Sequence, residues 1–289
     1  MLASTDMRRV IGGREFDFAR RVAVMAIVNR TPDSFHDQGR TFALAHALDA
    51  VRAAAEQGAD WIDVGGVPFA PGPEVTVAEE LDRVLPVVDA ARELAVVSVD
   101  TYRPDVAREA IAAGAGVIND TSGLRDPEMA DAVAGTGATL VITHSLAAPR
   151  TPYPSPRYHD VTAEVTVFLR DRLKIAMDRG VRPDQIVLDP GHDLNKTTAH
   201  SLELTRRLDE ITALGYPTLA AVSNKDFIGE TLDRPQRDRL AGTLAAVVFC
   251  VLRGARIVRV HDVRASVDAV RMTEAMLGWR SPAHARHNV

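Results

Sequence analysis

Asn29, Asp63, Asp100, Asn119, His144, Asp189, Lys225, Arg259 and His261 each stand at or beside the end of a short apolar run. One polar residue in such a place is ordinary, because Asn, Asp and His often cap the next helix. Their return at nearly every run points to one shared site. The residue types say what it would hold. Asp100 and Asp189 are acceptors and Asn119 both donates and accepts, a set that grips a flat heterocycle bearing amino and ring N–H groups. Lys225, Arg259, His261 and Asn29 are mostly donors, as an anionic oxygen cluster requires. The Asn29 amide oxygen could also meet a hard cation such as Mg2+ on a phosphate. A polar heterocycle joined to a phosphate-like group is therefore expected.

The elements that must position these residues alternate along the chain. Strands are predicted over Val22–Val28, Trp61–Val64, Ala95–Val99, Gly116–Ile118, Thr139–Ile142, Ile186–Leu188, Thr218–Val222 and Arg256–Val260. Helices are predicted over Phe42–Gln57, Val77–Leu94, Pro104–Ala113, Pro127–Ala134, Val161–Arg179, His200–Leu214, Arg239–Arg253 and Ser266–Met276. Gly12-Gly13 predicts a short N-terminal hairpin, and the polar Ser281–Val289 a frayed tail. Eight strand–helix units of roughly 30 residues or a little more suit a (β/α)8 barrel, an α/β TIM fold. Short, fully apolar strands agree with a parallel sheet covered by helices. A doubly wound open sheet is the alternative, but no dinucleotide-type Gly-rich turn follows the first strand. No linker divides the chain, so residues 1–289 are expected to form one domain with its core over about 20–279.

Bulk properties narrow the partners. Hydrophobic residues make up 46% of the 289 positions, enough for a real core, and the net charge of −5 gives no reason to expect nucleic acid or an anionic membrane. The lone Cys250 excludes an internal disulfide and lies in a run that reads as a packed helix. No signal-peptide core and no membrane-spanning run occurs, so a soluble cytoplasmic protein is expected.

Several motifs, in order, resemble the dihydropteroate synthase family over essentially the whole chain. They are Met25-Ala26-Ile27-Val28-Asn29-Arg30-Thr31-Pro32-Asp33-Ser34-Phe35, Ile62-Asp63-Val64-Gly65-Gly66, Ser98-Val99-Asp100-Thr101-Tyr102, Ile118-Asn119-Asp120, Leu188-Asp189-Pro190-Gly191 and Arg259-Val260-His261-Asp262-Val263. The resemblance implies a barrel that joins dihydropterin pyrophosphate to p-aminobenzoate, giving dihydropteroate and diphosphate. By position, Asp100, Asn119, Asp189 and Lys225 match pterin contacts. Asn29, Arg259 and His261 match diphosphate contacts, Asn29 with Mg2+, and Lys225, Arg259 and His261 would carry the catalysis. Asp33 and Phe35 match a mobile first loop over the second substrate, with Phe69 in its partner loop. A homodimer, and sulfonamide or sulfone ligands, follow from the same resemblance.

The departures are concentrated. Where the family continues Glu-Ser-Thr-Arg-Pro-Gly, this chain has Val67-Pro68-Phe69-Ala70-Pro71-Gly72. Arg-Lys-Ser becomes Asn224-Lys225-Asp226, Phe-Gly-Phe-Gly-Lys becomes His192-Asp193-Leu194-Asn195-Lys196, and Met-His-Met becomes Thr143-His144-Ser145. The pattern is similar to that of an inactive second copy in mycobacteria, whose Val-Asn-Arg-Thr-Pro-Asp-Ser-Phe and Ser-Asn-Lys-Asp stretches look alike. Standard activity is therefore expected to be weak or lost, unless Arg30 or Arg150 replaces the missing arginines. An active transferase, a non-catalytic pterin sensor, and a pterin methyltransferase working with a corrinoid protein are the alternatives.

Overall fold

In a β-strand, successive side chains point to opposite faces, so every second residue shares one environment. This two-residue alternation organises the molecule. The computed structural model describes residues 7–30, 43–153 and 155–287. β1 (Arg8–Ile11) and β2 (Arg14–Asp17) form an antiparallel hairpin whose turn is Gly12-Gly13, both at positive φ. Eight parallel strands follow: β3 (Ala23–Asn29), β4 (Trp61–Gly65), β5 (Val96–Asp100), β6 (Val117–Asp120), β7 (Thr139–Thr143), β8 (Ile186–Asp189), β9 (Leu219–Ala220) and β10 (Ile257–Val260). Strands β3 to β8 pair in sequence order, and β10 lies between β3 and β9. A parallel bridge between Leu188 and Thr218 links β8 to the run entering β9 and closes the ring. The expected (β/α)8 barrel is the observed one.

The helices are α1 (Leu44–Glu56), α2 (Val77–Ala91), α3 (Pro104–Ala112), α4 (Glu128–Val133), α5 (Val161–Asp178), α6 (Thr198–Arg206), α7 (Leu208–Thr212), α8 (Asp226–Leu232), α9 (Leu240–Leu252) and α10 (Val263–Met276). Residues such as Val24, Ile62, Val64, Val97, Val99, Ile118, Leu140 and Leu188 turn outward and pack with the helix faces in the main core. Ala23, Met25, Trp61, Val96, Val117, Val141, Val187, Leu219 and Ile257 turn inward and form a second apolar cluster with Ile11, Phe16 and Phe18 of the hairpin segment. The hairpin thus plugs one end of the barrel. No helix among the described residues is long and apolar enough to cross a membrane.

Four elements differ from the sequence expectation. The helix expected over His200–Leu214 is two, because Arg207 leaves helical geometry (φ −105°, ψ 24°) while its guanidinium bonds Asp160, Glu203 and Glu210. α8 was not expected. The Asp193 carboxylate, from a distant loop, accepts the Asp226 and Phe227 N–H groups at 2.6 and 3.4 Å and so starts that helix. α10 begins at Val263 rather than Ser266, since Asp262 accepts the Ala265 N–H at 3.1 Å. β9 is only Leu219–Ala220, and Thr218 contributes one bridge. The tail expected to fray carries no helix or strand over its described part, 281–287.

The plug makes one glycine critical. A Cβ at Gly116, just before β6, would lie 2.7 Å from the Gly12 Cα and 2.9 Å from its N. Gly116→Ala is expected to displace the hairpin and cost about 1–3 kcal/mol in denaturant unfolding. Gly137→Ala, with nothing within 4 Å of its would-be Cβ, is the comparison and should change little. Equal stability of the two variants would refute the plug.

Candidate functional site

At the opposite end of the barrel the inward positions become polar. Two residues past inward Trp61 comes Asp63; past Val96 come Ser98 and Asp100; past Val117, Asn119; past Val187, Asp189; past Ile257, Arg259. Register aligns them. Asp63 pairs with Ser98 across β4 and β5, and Asp100 with Asn119 across β5 and β6. Gly65 separates Asn29 from Asp100, and its would-be Cβ would lie 3.1 Å from the Asn29 Oδ1. Any larger residue there would push the Asn29 amide aside.

Asp63 is fully buried and holds the centre. It accepts from the Ser98 hydroxyl at 2.6 Å, the Asn119 amide at 3.3 Å and the Arg259 Nε at 2.6 Å. Arg259 also donates from Nη2 to Asp100 at 3.3 Å. Burial would lower the guanidinium's pKa, but Asp63 and Asp100 outweigh it and raise it. The Asp100 carboxyl is pushed up to about 7, first by burial and then by Asp63, with Arg259 opposing. Burial likewise raises Asp189 to about 6, against the Gly191 N–H that its Oδ1 accepts at 2.7 Å. Lys225 is lowered, mainly by burial. Its ammonium makes no hydrogen bond to a described residue. The Asn119 Oδ1 is buried and likewise has no partner among the described residues. Ser223 Oγ lies 3.0 Å from the His261 Nδ1 and accepts the His261 N–H, which fixes that ring.

A cavity of about 440 Å3 opens above this layer. Asn29, Asp100, Lys225, Arg259, His261 and Phe69 line it, so six of the expected site residues meet. Asn119 and Asp189 lie in the buried layer with Asp63 and Gly191. Asp33 and Phe35 lie outside the described residues. His144 does not join the site. Its side chain turns outward against Phe168, its Nδ1 lies 2.9 Å from the Lys196 Nζ, and burial first, then Lys196, lowers it to about 2. The expectation that every polar strand end faces the site fails there because His144 has the outward parity.

The loops show what sequence reasoning missed. Asp63 carried no assigned role, although its inward parity after Trp61 was legible. Asp193 and Asn195 occupy left-handed positions (φ 63° and 50°), where the family pattern has glycine. Asp and Asn are among the few residues besides glycine that tolerate that conformation. The Lys196 ammonium closes the loop on the Gly191 and Leu194 carbonyls at 2.8 and 3.1 Å. Neither candidate replacement arginine lines the cavity. Arg30 donates to the Arg83 carbonyl at 2.8 Å, and Arg150 to the Pro68 and Pro73 carbonyls, while the Arg150 N–H bonds the Phe69 carbonyl. Both guanidiniums hold the backbone. Arg239, near Asn224, is spent on the Asn224 carbonyl and Asp226 at 2.9 Å each.

Comparison with known proteins agrees with this geometry. The family of pterin binding enzymes matches residues 25–261. The Mycobacterium tuberculosis protein named "Inactive dihydropteroate synthase 2" is 43% identical over 270 residues, covering 91% of this chain and 85% of that one. Escherichia coli dihydropteroate synthase is 40% identical over 257 residues, 88% of this chain and 91% of the other. The Yersinia pestis dihydropteroate synthase structure, a complex with a sulfonamide drug, superposes with a TM-score of 0.89 at 35% identity, covering 95% and 100% of the two chains. The chain therefore belongs to the pterin-binding enzymes, within the dihydropteroate synthase family.

Proposed function

We propose that the cavity binds 6-hydroxymethyl-7,8-dihydropterin diphosphate, and that its condensation with p-aminobenzoate is weak or lost. The observation that carries the pterin reading is the buried, unpartnered Asn119 Oδ1 in one layer with Asp100 and Asp189. A buried acceptor without a donor is costly, and a pterin edge rich in N–H groups would satisfy it. In this reading Asp100, Asn119, Asp189 and Lys225 take the pterin, while Arg259 and His261 take the diphosphate. Arg259 Nε and Nη2 are already committed to carboxylates, which leaves Nη1 for the anion. Phe69, with Asp33 and Phe35, would bound the second substrate.

In the family reaction the amine nitrogen bonds to the pterin methylene carbon as the C–O bond to diphosphate breaks. The bonding pair leaves with diphosphate and the amine loses a proton. Stabilising that departing anion is the main demand on the protein. Mg2+ is bound typically by one or two protein oxygens plus substrate phosphates. The single amide oxygen of Asn29 fits that habit, and no cluster of three His, Cys, Asp or Glu side chains competes among the described residues. When bound, the ion would neutralise phosphate charge.

The loss follows from the cations. The wall Val67–Ala70 is apolar, Asn224 replaces an arginine, and Arg30 and Arg150 serve the backbone. A charged hydrogen bond contributes roughly 1.5–3 kcal/mol, so two lost in the transition state would slow turnover on the order of 10²–10⁴. A homodimer belongs to the same reading, with Phe249 and Leu252 on α9 and Met272 and Met276 on α10 exposed to meet a second copy.

Diphosphate release from dihydropterin diphosphate, Mg2+ and p-aminobenzoate is expected to run two to four orders of magnitude below the usual ~10 s⁻¹. Turnover at ordinary rates would sink the inactive reading. Ala70→Arg with Asn224→Arg is expected to raise the rate at least roughly tenfold. No gain would shift the cause to Phe69 and Leu194.

Pterin affinity should depend on pH. Asp100 and Asp189, raised to about 7 and about 6, accept best when ionised. Affinity measured by calorimetry is therefore expected to fall as pH drops through 7 and then 6, by up to about tenfold per unit per carboxylate. Asp100→Asn should remove the upper step. A flat profile, or no pterin binding at any pH, counts against these assignments.

A further inference from the structure

The outer half of the cavity differs in charge from the inner half. Its apolar lining is Pro68, Phe69, Ala70 and Leu194, and its ionisable groups are Asp193 and Asp226. It adjoins a second cavity of about 530 Å3, which shares Phe69, Asp193, Leu194 and Asp226 and adds Lys196 and Glu230. Lys225 faces this pair from the inner half, where it is assigned to the pterin, and the other three nearby cations are turned to other duties. Lys196 bonds the Gly191 and Leu194 carbonyls and His144, and burial lowers it to about 7. Arg150 clamps the Pro68 and Pro73 carbonyls, and Arg239 bonds the Asn224 carbonyl and Asp226.

Asp193 is the deciding residue. Its partners are the Ser201 hydroxyl at 2.9 Å and the Asp226 and Phe227 N–H groups. All are neutral donors, so its charge has no cation hydrogen-bonded to it. The two N–H groups at the start of α8 are consumed by it and are closed to an incoming carboxylate. An anion entering here meets Asp193 and Asp226 beside an apolar wall, with only Asp226 paired to a cation, Arg239.

We propose that Asp193 and Asp226 set the second-substrate specificity, rejecting amines that carry a carboxylate and admitting aromatic amines whose distal group is neutral or cationic. The assignment of this half to a second substrate rests on the pterin diphosphate reading of the inner half. Phe69 and Leu194 supply contact for the aromatic ring, and Asp193 and Asp226 accept from an amide or ammonium at its far end.

The test compares three molecules of one shape: p-aminobenzoate, p-aminobenzamide and p-aminobenzylamine. Ligand-observed NMR titration of the full chain, without pterin, gives each affinity. The amide and the benzylamine are expected to bind at least roughly tenfold tighter than the benzoate, with the gap shrinking as salt rises. Asp193→Asn with Asp226→Asn should close the gap, since Asn tolerates the left-handed position and still accepts the α8 N–H groups. Equal affinities, tighter benzoate binding, no binding of any of the three, or a gap unchanged by salt each overturn the proposal. Should the double variant not fold, Asp226→Asn alone and the wild-type salt series decide it. Pterin calorimetry is run in parallel. Its failure would sink the pterin reading, while the amine ratio still decides this one.

Discussion

A carboxylate and a guanidinium meet in the barrel at 2.6 Å, between Asp63 and Arg259. Asp63 has no access to water, and Arg259 keeps a side-chain exposure of 16%. Removing one partner of such a pair costs about 3–5 kcal/mol, because the other charge is stranded. The pair therefore fixes its neighbours. Ser98 and Asn119 complete the coordination of Asp63, and Asn119 is thereby turned so that its Oδ1 stays open. Arg259 reaches on to Asp100, which ties β10 to β5 across the barrel. The polar floor of the cavity is one connected system rather than a ring of independent strand ends.

That system is set against an apolar opposite end of the barrel interior. Trp61, Met25 and the hairpin residues Ile11 and Phe16 fill the opposite end. The pair contributes little to stability on its own account, since desolvation offsets much of the attraction. Its value is positional. The apolar plug and the outward core hold the strands, and the strands hold the charges at one height.

The departures from the family pattern fall on the loops. Asp193 and Asn195 occupy left-handed positions where the family pattern has glycine. Arg150 keeps the second loop in place through the Pro68 and Pro73 carbonyls although the loop's own arginine is gone. Asn224, also left-handed, is held by Thr243 and Arg239.

The sequence by itself determined the barrel, the order of its strands and most of the inner site. Those features depend on local periodicity and on residue type at strand ends, which neighbours along the chain reveal. Inward parity was readable for Asp63 and outward parity for His144, each counted from an apolar residue on the same strand. Tertiary structure alone decided the rest, because the partners are far apart in sequence. Asp193 starts α8 from 33 residues away, Arg150 clamps a loop 82 residues back, and Asp63 finds Arg259 across 196 residues. Whether an arginine serves a ligand or the backbone depends on which carbonyl or carboxylate the fold brings within hydrogen-bond reach, and no pattern of spacing contains that.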